Sequence, residues 1–141
     1  MKILYYSPHP QLKLNAPTGY GTHMREMIAA WRKMEIEVKT MIAGDLGGDG
    51  YGEARPSKFP RFKKFIPAIL WETLKDFQLI RFDKSLEPGL KALIKEFEPD
   101  LIYERVAYLQ NSGVKTAENL GIKHVAEINA PYPEERVYFS G

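Results

Sequence analysis

The chain contains no cysteine. That excludes a disulfide framework and any thiolate metal site, so the fold must be held by its core, as is usual in a reducing compartment. Long apolar runs are missing as well. The first one, Ile3 to Ser7, is stopped by Pro8 and Pro10; it is too short for a signal-peptide core and far too short to span a bilayer. Nor is there an excess of one charge: 20 Lys and Arg stand against 18 Asp and Glu, a formal net charge of +2, so any basic effect must be local. What remains is a 141-residue chain, 44% hydrophobic and 27% charged, the balance of one ordinary globular domain. The expectation from these absences is a cytoplasmic protein.

Periodicity then orders the chain. Lys2 to Ser7 reads as a buried strand. Tyr20, Met24, Met27, Ile28, Trp31 and Met34 recur at three- and four-residue steps and share one helix face, with Thr18 or Thr22 as the N-terminal cap. Ile36 to Ala43 reads as a second strand, and Gly44 to Gly52, with five glycines in nine residues, as a flexible loop. Two helices are expected next, one carrying Ile66, Ile69, Leu70, Leu74 and Phe77, the other Leu86, Leu90, Leu93, Ile94 and Phe97; together they form a helical insertion over about 58–98. Leu101 to Tyr103 is a third strand. A helix from about Tyr108 to Leu120 follows, closed by Gly121, and Lys123 to Ile128 is the last strand. This alternation predicts an α/β fold: a Rossmann-like, mostly parallel sheet with helices on both faces. The last strand has no covering helix after it, so residues 1–141 read as a single domain that is truncated, one half of a larger protein.

In such a sheet ligands bind beyond the carboxyl ends of the strands. That rule nominates Ser7 to Gly21, Ala43 to Gly52, Glu104-Arg105 and Glu127 to Pro133. Gly19 and Gly21 stand at the helix start, where bare backbone lets a phosphate approach orphan N–H groups; a turn needing positive φ fits the same glycines equally well. Glu104 and Arg105 put a carboxylate and a guanidinium at the rim, suited to bidentate recognition or to a local ion pair. His9, His23 and His124 have no metal-ligand spacing, so no metal is expected. A dinucleotide fingerprint fails at Met24, where a small residue is needed, although Asp45 partly mimics the ribose-binding acid; a nucleotide-cofactor oxidoreductase is the least favoured reading. Lys58, Arg61, Lys63 and Lys64 interleave with Phe59, Phe62 and Phe65. That run suits a solvated helix edge first, a peripheral membrane patch second and nucleic acid last, and no nucleic-acid partner is expected.

Several strings carry a family resemblance. They are Pro99-Asp100-Leu101-Ile102-Tyr103-Glu104-Arg105, Ser112-Gly113-Val114, His124-Val125-Ala126-Glu127-Ile128-Asn129-Ala130-Pro131 and Glu134-Glu135-Arg136, with the Pro17 to Gly21 loop before the first helix. Together they resemble the N-terminal domain of GT4-type glycosyltransferases of the GT-B fold. The resemblance implies the acceptor-binding half of a retaining hexosyltransferase-like enzyme of carbohydrate biosynthesis. A nucleotide-sugar donor would be its substrate rather than a cofactor, and a saccharide or lipid-linked molecule its acceptor. It assigns Gly19, Tyr20 and Gly21 to the donor diphosphate, and His23, Glu104, Arg105 and Asn129 to the cleft and the acceptor. It leaves the catalytic residues unknown. The family's C-terminal nucleotide-binding domain is not in this sequence, so the chain alone is expected to be inactive. A non-catalytic module of the same fold at the inner face of a membrane is the alternative.

Overall fold

The computed structural model describes residues 1–46 and 68–129, and side chains from Thr73 onward in the second segment. Strand β1 (Lys2–Ser7) lies in the middle of the sheet and is buried along almost its whole length. It pairs in parallel with β2 (Glu37–Ile42) on one side and with β3 (Leu101–Arg105) on the other; β4 (Lys123–Glu127) adds to β3, also in parallel. The order is therefore β2-β1-β3-β4. The chain reverses direction across the sheet between β1 and β3, which is the switch point at which doubly wound sheets bind their ligands. The expected fold class, α/β with a parallel Rossmann-like sheet, is the one observed.

Strand alternation sends neighbouring residues to opposite faces and so builds two cores. On one face Leu4, Tyr6, Met41, Ala43 and Ile102 meet Leu86, Leu90, Ile94 and Phe97 of α2 (Ala68–Phe97) and Ala117 of α3 (Ser112–Leu120). On the other, Tyr5 and Ile42 meet Met24 and Ile28 of α1 (Gly19–Lys33), with Tyr20, Trp31 and Tyr103 packed around them. Each fully buried Leu, Ile or Met contributes about 1.5–3 kcal/mol. Thr18 caps α1, accepting from the Gly21 N–H at 3.4 Å, and Arg32 and Lys33 sit at its carboxyl end, where the helix dipole favours cations.

The two helices expected between β2 and β3 are one helix among the described residues. Pro88 lies inside α2 and is exposed, so the hydrogen bond it removes lies on the solvated side, while Asp83, Leu86, Leu90, Ile94 and Phe97 continue one buried stripe past it. Leu74 and Phe77, which the periodicity treats as a core face, are exposed together with Ile80 on the side of α2 opposite that stripe. The basic and aromatic run from Lys58 to Phe65 lies outside the described residues, as does all of the expected glycine loop beyond Leu46. Of that loop, Ala43–Asp45 forms a single 3₁₀ turn.

Helix α3 begins at Ser112 rather than near Tyr108, and a carboxylate from another helix sets that start. Asp83 of α2 accepts the Asn111 N–H (2.8 Å), the Ser112 N–H (3.0 Å) and the Ser112 hydroxyl (2.5 Å); the Ser112 hydroxyl also meets Tyr6 Oη at 2.6 Å. Gly121, at φ 65°, ends α3 as expected. Among the described residues no helix is long and apolar enough to cross a membrane.

Candidate functional site

The eleven-residue stretch from Pro8 to Thr18 between β1 and α1 is tied down by short contacts. Arg25 Nη1 donates to the carbonyls of Leu14 (2.8 Å) and Ala16 (3.1 Å), and Asp45 accepts the Leu14 N–H at 3.1 Å. Two glycines allow this fit: a Cβ on Gly21 would lie 2.3 Å from the Ala16 carbonyl oxygen, and one on Gly44 would lie 2.1 Å from that of Leu12. Gly21 is therefore required by the loop folded against it, and Asp45 holds that loop in place. Neither Gly19 nor Gly21 has positive φ, which removes the turn explanation for the pair. Gly19 is exposed with open space around it, and the ring of Tyr20 packs on the α1-side core.

At the carboxyl ends of β3 and β4, Arg105 and Glu127 stand side by side in register on the α1 face. Arg105 Nη1 donates to Glu127 Oε1 at 2.6 Å, and His23 Nε2 in the first turns of α1 reaches the same oxygen at 3.0 Å. Arg105 and Glu127 are nearly buried, whereas His23 is 45% exposed at the mouth. Burial pushes the Tyr5 hydroxyl well above its usual range, with the Glu127 charge adding to the effect and Arg105 opposing it; the Tyr103 hydroxyl is raised by burial and by the same carboxylate. The rings of Tyr5 and Tyr103 stack at 5.7 Å, and Trp31 meets Tyr103 edge-on at 4.9 Å. Glu127 Oε2, Ser7 Oγ and Tyr5 Oη are buried without a hydrogen-bond partner among the described residues.

His9 belongs to this rim, and the motif reading passed over it. Its Nδ1 accepts the Gln11 N–H at 3.1 Å, which leaves the proton of the neutral ring on Nε2. Burial, then the nearby Arg105 charge, lowers its pKa from 6.5. The signal available in the sequence was its position two residues beyond the end of a central strand.

Glu104 is placed elsewhere. It follows Tyr103 on β3 and so faces the α2 and α3 side, 1% exposed. Its carboxylate lies against Gly113, where a Cβ would approach to 2.2 Å, and it meets His124 Nε2 at 2.7 Å. Burial raises its pKa above 4.5, opposed by His124 and by the Val114 N–H. Of the residues expected at the cleft, then, His23 and Arg105 come together with Glu127, Glu104 turns to the opposite face, and Asn129 is exposed just past β4. Among the described residues no group of three His, Cys, Asp or Glu could hold a metal. An open groove of about 440 Å³ lies at the far edge of the sheet, between β2 and α2, and none of these rim residues lines it.

Fold and rim together define a doubly wound parallel α/β domain with a polar constellation at its switch point. Comparison with protein-family models, with curated proteins and with solved structures gave no match.

Proposed function

We propose that the chain is the acceptor-side, N-terminal half of a retaining glycosyltransferase of the GT-B type, using a nucleotide-sugar donor and a saccharide or lipid-linked acceptor. The observation that carries this reading is the gathering of His23, Arg105 and Glu127 at the carboxyl ends of the strands, beside the amino end of α1 and next to the β1/β3 switch point. The sequence strings around Glu104-Arg105 and Glu127 to Pro131, which resemble the GT4 family, add the reaction class. In this reading Arg105, His23 and Glu127 bind and orient the acceptor. The N–H groups of Gly19 and Tyr20, which in the first turn of α1 have no intrahelical partner, are left for the donor, where a helix amino end favours negative charge. Glu104 supports the site from behind by fixing α3 and β4. The transfer chemistry would need a second, nucleotide-binding domain.

The test is to read the frame beyond Gly141, express the protein with whatever domain follows, and assay transfer from labelled nucleotide sugars. Sugar transfer that falls at least tenfold in Arg105→Ala supports the reading. A stop codon directly after Gly141, or a paired domain that transfers nothing from any nucleotide sugar, overturns it.

A second reading, a peripheral contact with a membrane, has its own observation. Leu74, Phe77 and Ile80 are exposed on the outward side of α2, and Arg81 and Lys84 lie exposed on that same side, the mixture that suits an anionic interface. Co-sedimentation with vesicles rich in anionic phospholipid should fall in Phe77→Asp; binding to neither anionic nor neutral vesicles removes this reading.

A further inference from the structure

We propose that Glu127 makes this rim selective for a neutral, hydroxyl-rich ligand over an anion: it neutralises Arg105 and offers its second carboxylate oxygen to a ligand hydroxyl. The inference rests on the reading of the strand-end rim as a ligand site.

Arg105 is the guanidinium that a phosphate or carboxylate would be expected to seek, and it is already engaged. Its Nη1 is bound by Glu127 at 2.6 Å, and both side chains are about nine-tenths buried. Attraction between opposite charges in so dry a setting is several times stronger than in water. An anion arriving at Arg105 would have to displace Glu127 and leave that carboxylate buried without its counter-charge, which is costly. The neighbouring cation on α1, Arg25, is turned to the Leu14 and Ala16 carbonyls and the Thr22 hydroxyl, and does not relieve this. His9 is held neutral. Arg105 and Glu127 thus neutralise each other before any ligand arrives.

What the rim does offer is unspent hydrogen-bonding capacity. Glu127 Oε2 and the hydroxyls of Ser7 and Tyr5, both residues fully buried, have no hydrogen-bond partner of good geometry among the described residues, although the Arg105 guanidinium lies near the Tyr5 hydroxyl and the Tyr103 hydroxyl near the Glu127 carboxylate. The proton on His9 Nε2 adds a donor at the end of the same strand. Ser7, Tyr5, Arg105 and Glu127 all fall on the α1 face by strand alternation and register. A buried polar atom left unpaired is costly, so a ligand that pairs these atoms gains from the relief. Each ligand hydroxyl brings one donor and two acceptor lone pairs, which matches a mixed set of one carboxylate oxygen, two hydroxyls and one imidazole N–H. One step down the same face, the partly exposed Tyr103 and Val125 supply an apolar strip for the C–H face of a sugar ring.

The experiment uses the isotope-labelled 141-residue protein. Near neutral pH and at constant ionic strength it is titrated with methyl α-glucopyranoside and, separately, with inorganic phosphate, and amide signals are followed by NMR. The expected result is that the glucoside moves the signals of residues 5–9, 105 and 127 and phosphate does not. Glu127→Gln should weaken the glucoside about tenfold or more and admit phosphate to Arg105, a reversal of preference that a merely structural role would not produce. If that variant fails to fold, Glu127→Asp takes its place: the retained charge should still exclude phosphate while the shorter reach weakens the glucoside. Phosphate shifting the wild-type rim signals at lower concentration than the glucoside, no glucoside effect on a folded wild type, or an unchanged preference in the folded variant overturns the proposal. No donor sugar is present in these titrations, so they fail or succeed separately from the transfer assay.

Discussion

Two carboxylate–histidine pairs stand back to back across β3 and β4, and they have opposite characters. Glu104 and His124 meet on the α2 and α3 side, sealed under the first turn of α3, with Glu104 1% exposed. Glu127 and His23 meet on the α1 side, with an arginine between the strands and the histidine 45% exposed. The chemistry is similar, but what surrounds each pair decides its use. The sealed pair joins β3, α3 and β4, with Gly113 of α3 packed on the Glu104 carboxylate. The open pair has solvent on one side, through the exposed His23; both faces hold a carboxylate oxygen without a partner among the described residues, Glu104 Oε1 on one and Glu127 Oε2 on the other. Glu104 and Arg105, adjacent in sequence, are divided between these two roles by strand alternation alone.

The comparison breaks most visibly at Gly113. Gly113→Ala puts a methyl group 2.2 Å from the Glu104 carboxylate and should cost about 3 kcal/mol in urea unfolding, by forcing that buried group off its partners. A loss below about 1 kcal/mol would mean the sealed pair is loosely held. Next in size, His124→Ala leaves Glu104 buried without its neighbour and should cost about 2 kcal/mol. His23→Ala, at a largely exposed position, should cost less than about 0.5 kcal/mol. Equal costs for the two histidines would erase the distinction between the faces.

A smaller effect concerns pH. Glu104 has its folded pKa raised above 4.5, chiefly by burial, so just above that pH the folded state holds the proton that the unfolded state has lost. Its contribution to stability is full below the unfolded value and is lost as the pH rises through the folded one. The difference in stability between wild type and Glu104→Gln, followed by chemical denaturation across that range, should therefore move against the wild type with rising pH. A flat difference would show that the carboxyl titrates as if it were in water. Smallest of all, Gly19→Ala meets nothing within 4 Å at the first position of a helix and should raise the melting temperature slightly, a gain of about 0.3 kcal/mol, less than the full helix-interior difference. Gly21→Ala should lower it. If the two glycines responded alike, the first loop would not be seated on α1 as described.

The strands and their parallel arrangement were legible because apolar runs are punctuated by Pro8, Gly44, Pro99 and Gly121, residues whose backbone limits do not depend on the rest of the fold. Parity was not legible. Ile102 and Tyr103 are both apolar, so nothing local says whether Glu104 or Arg105 faces α1; that depends on which side of the sheet the first helix takes. Helix α2 misled for a related reason. Leu74 and Phe77 look like a core stripe, but the stripe that meets the sheet runs through Asp83, Leu86 and Leu90. The polar Asp83 hides it from an apolar count, and the same residue in helical step with Leu86 and Leu90 was the clue to a buried carboxylate with something to hold. Two of the unpaired atoms of the rim, on Ser7 and Tyr5, come from residues that read as ordinary strand.

The reach of Asp83 across to α3 also sets an order of events. Helix α3 is nine residues long, and Asn111, at its amino end, makes no side-chain cap. A helix that short does not persist on its own in water. Its first turn is organised by a carboxylate 28 and 29 residues earlier in the chain, on a helix that must first settle against β1 and β2. The expected order is that α2 docks before α3 is stable, that α3 precedes the seating of β4 against Glu104, and that the partnership of Arg105 with Glu127 closes last. Asp83→Ala should then slow refolding of the β4 edge more than that of β1 and β2 in pulse-labelled hydrogen exchange. The rim proposed above as a ligand site would then be the part that the folding chain completes at the end.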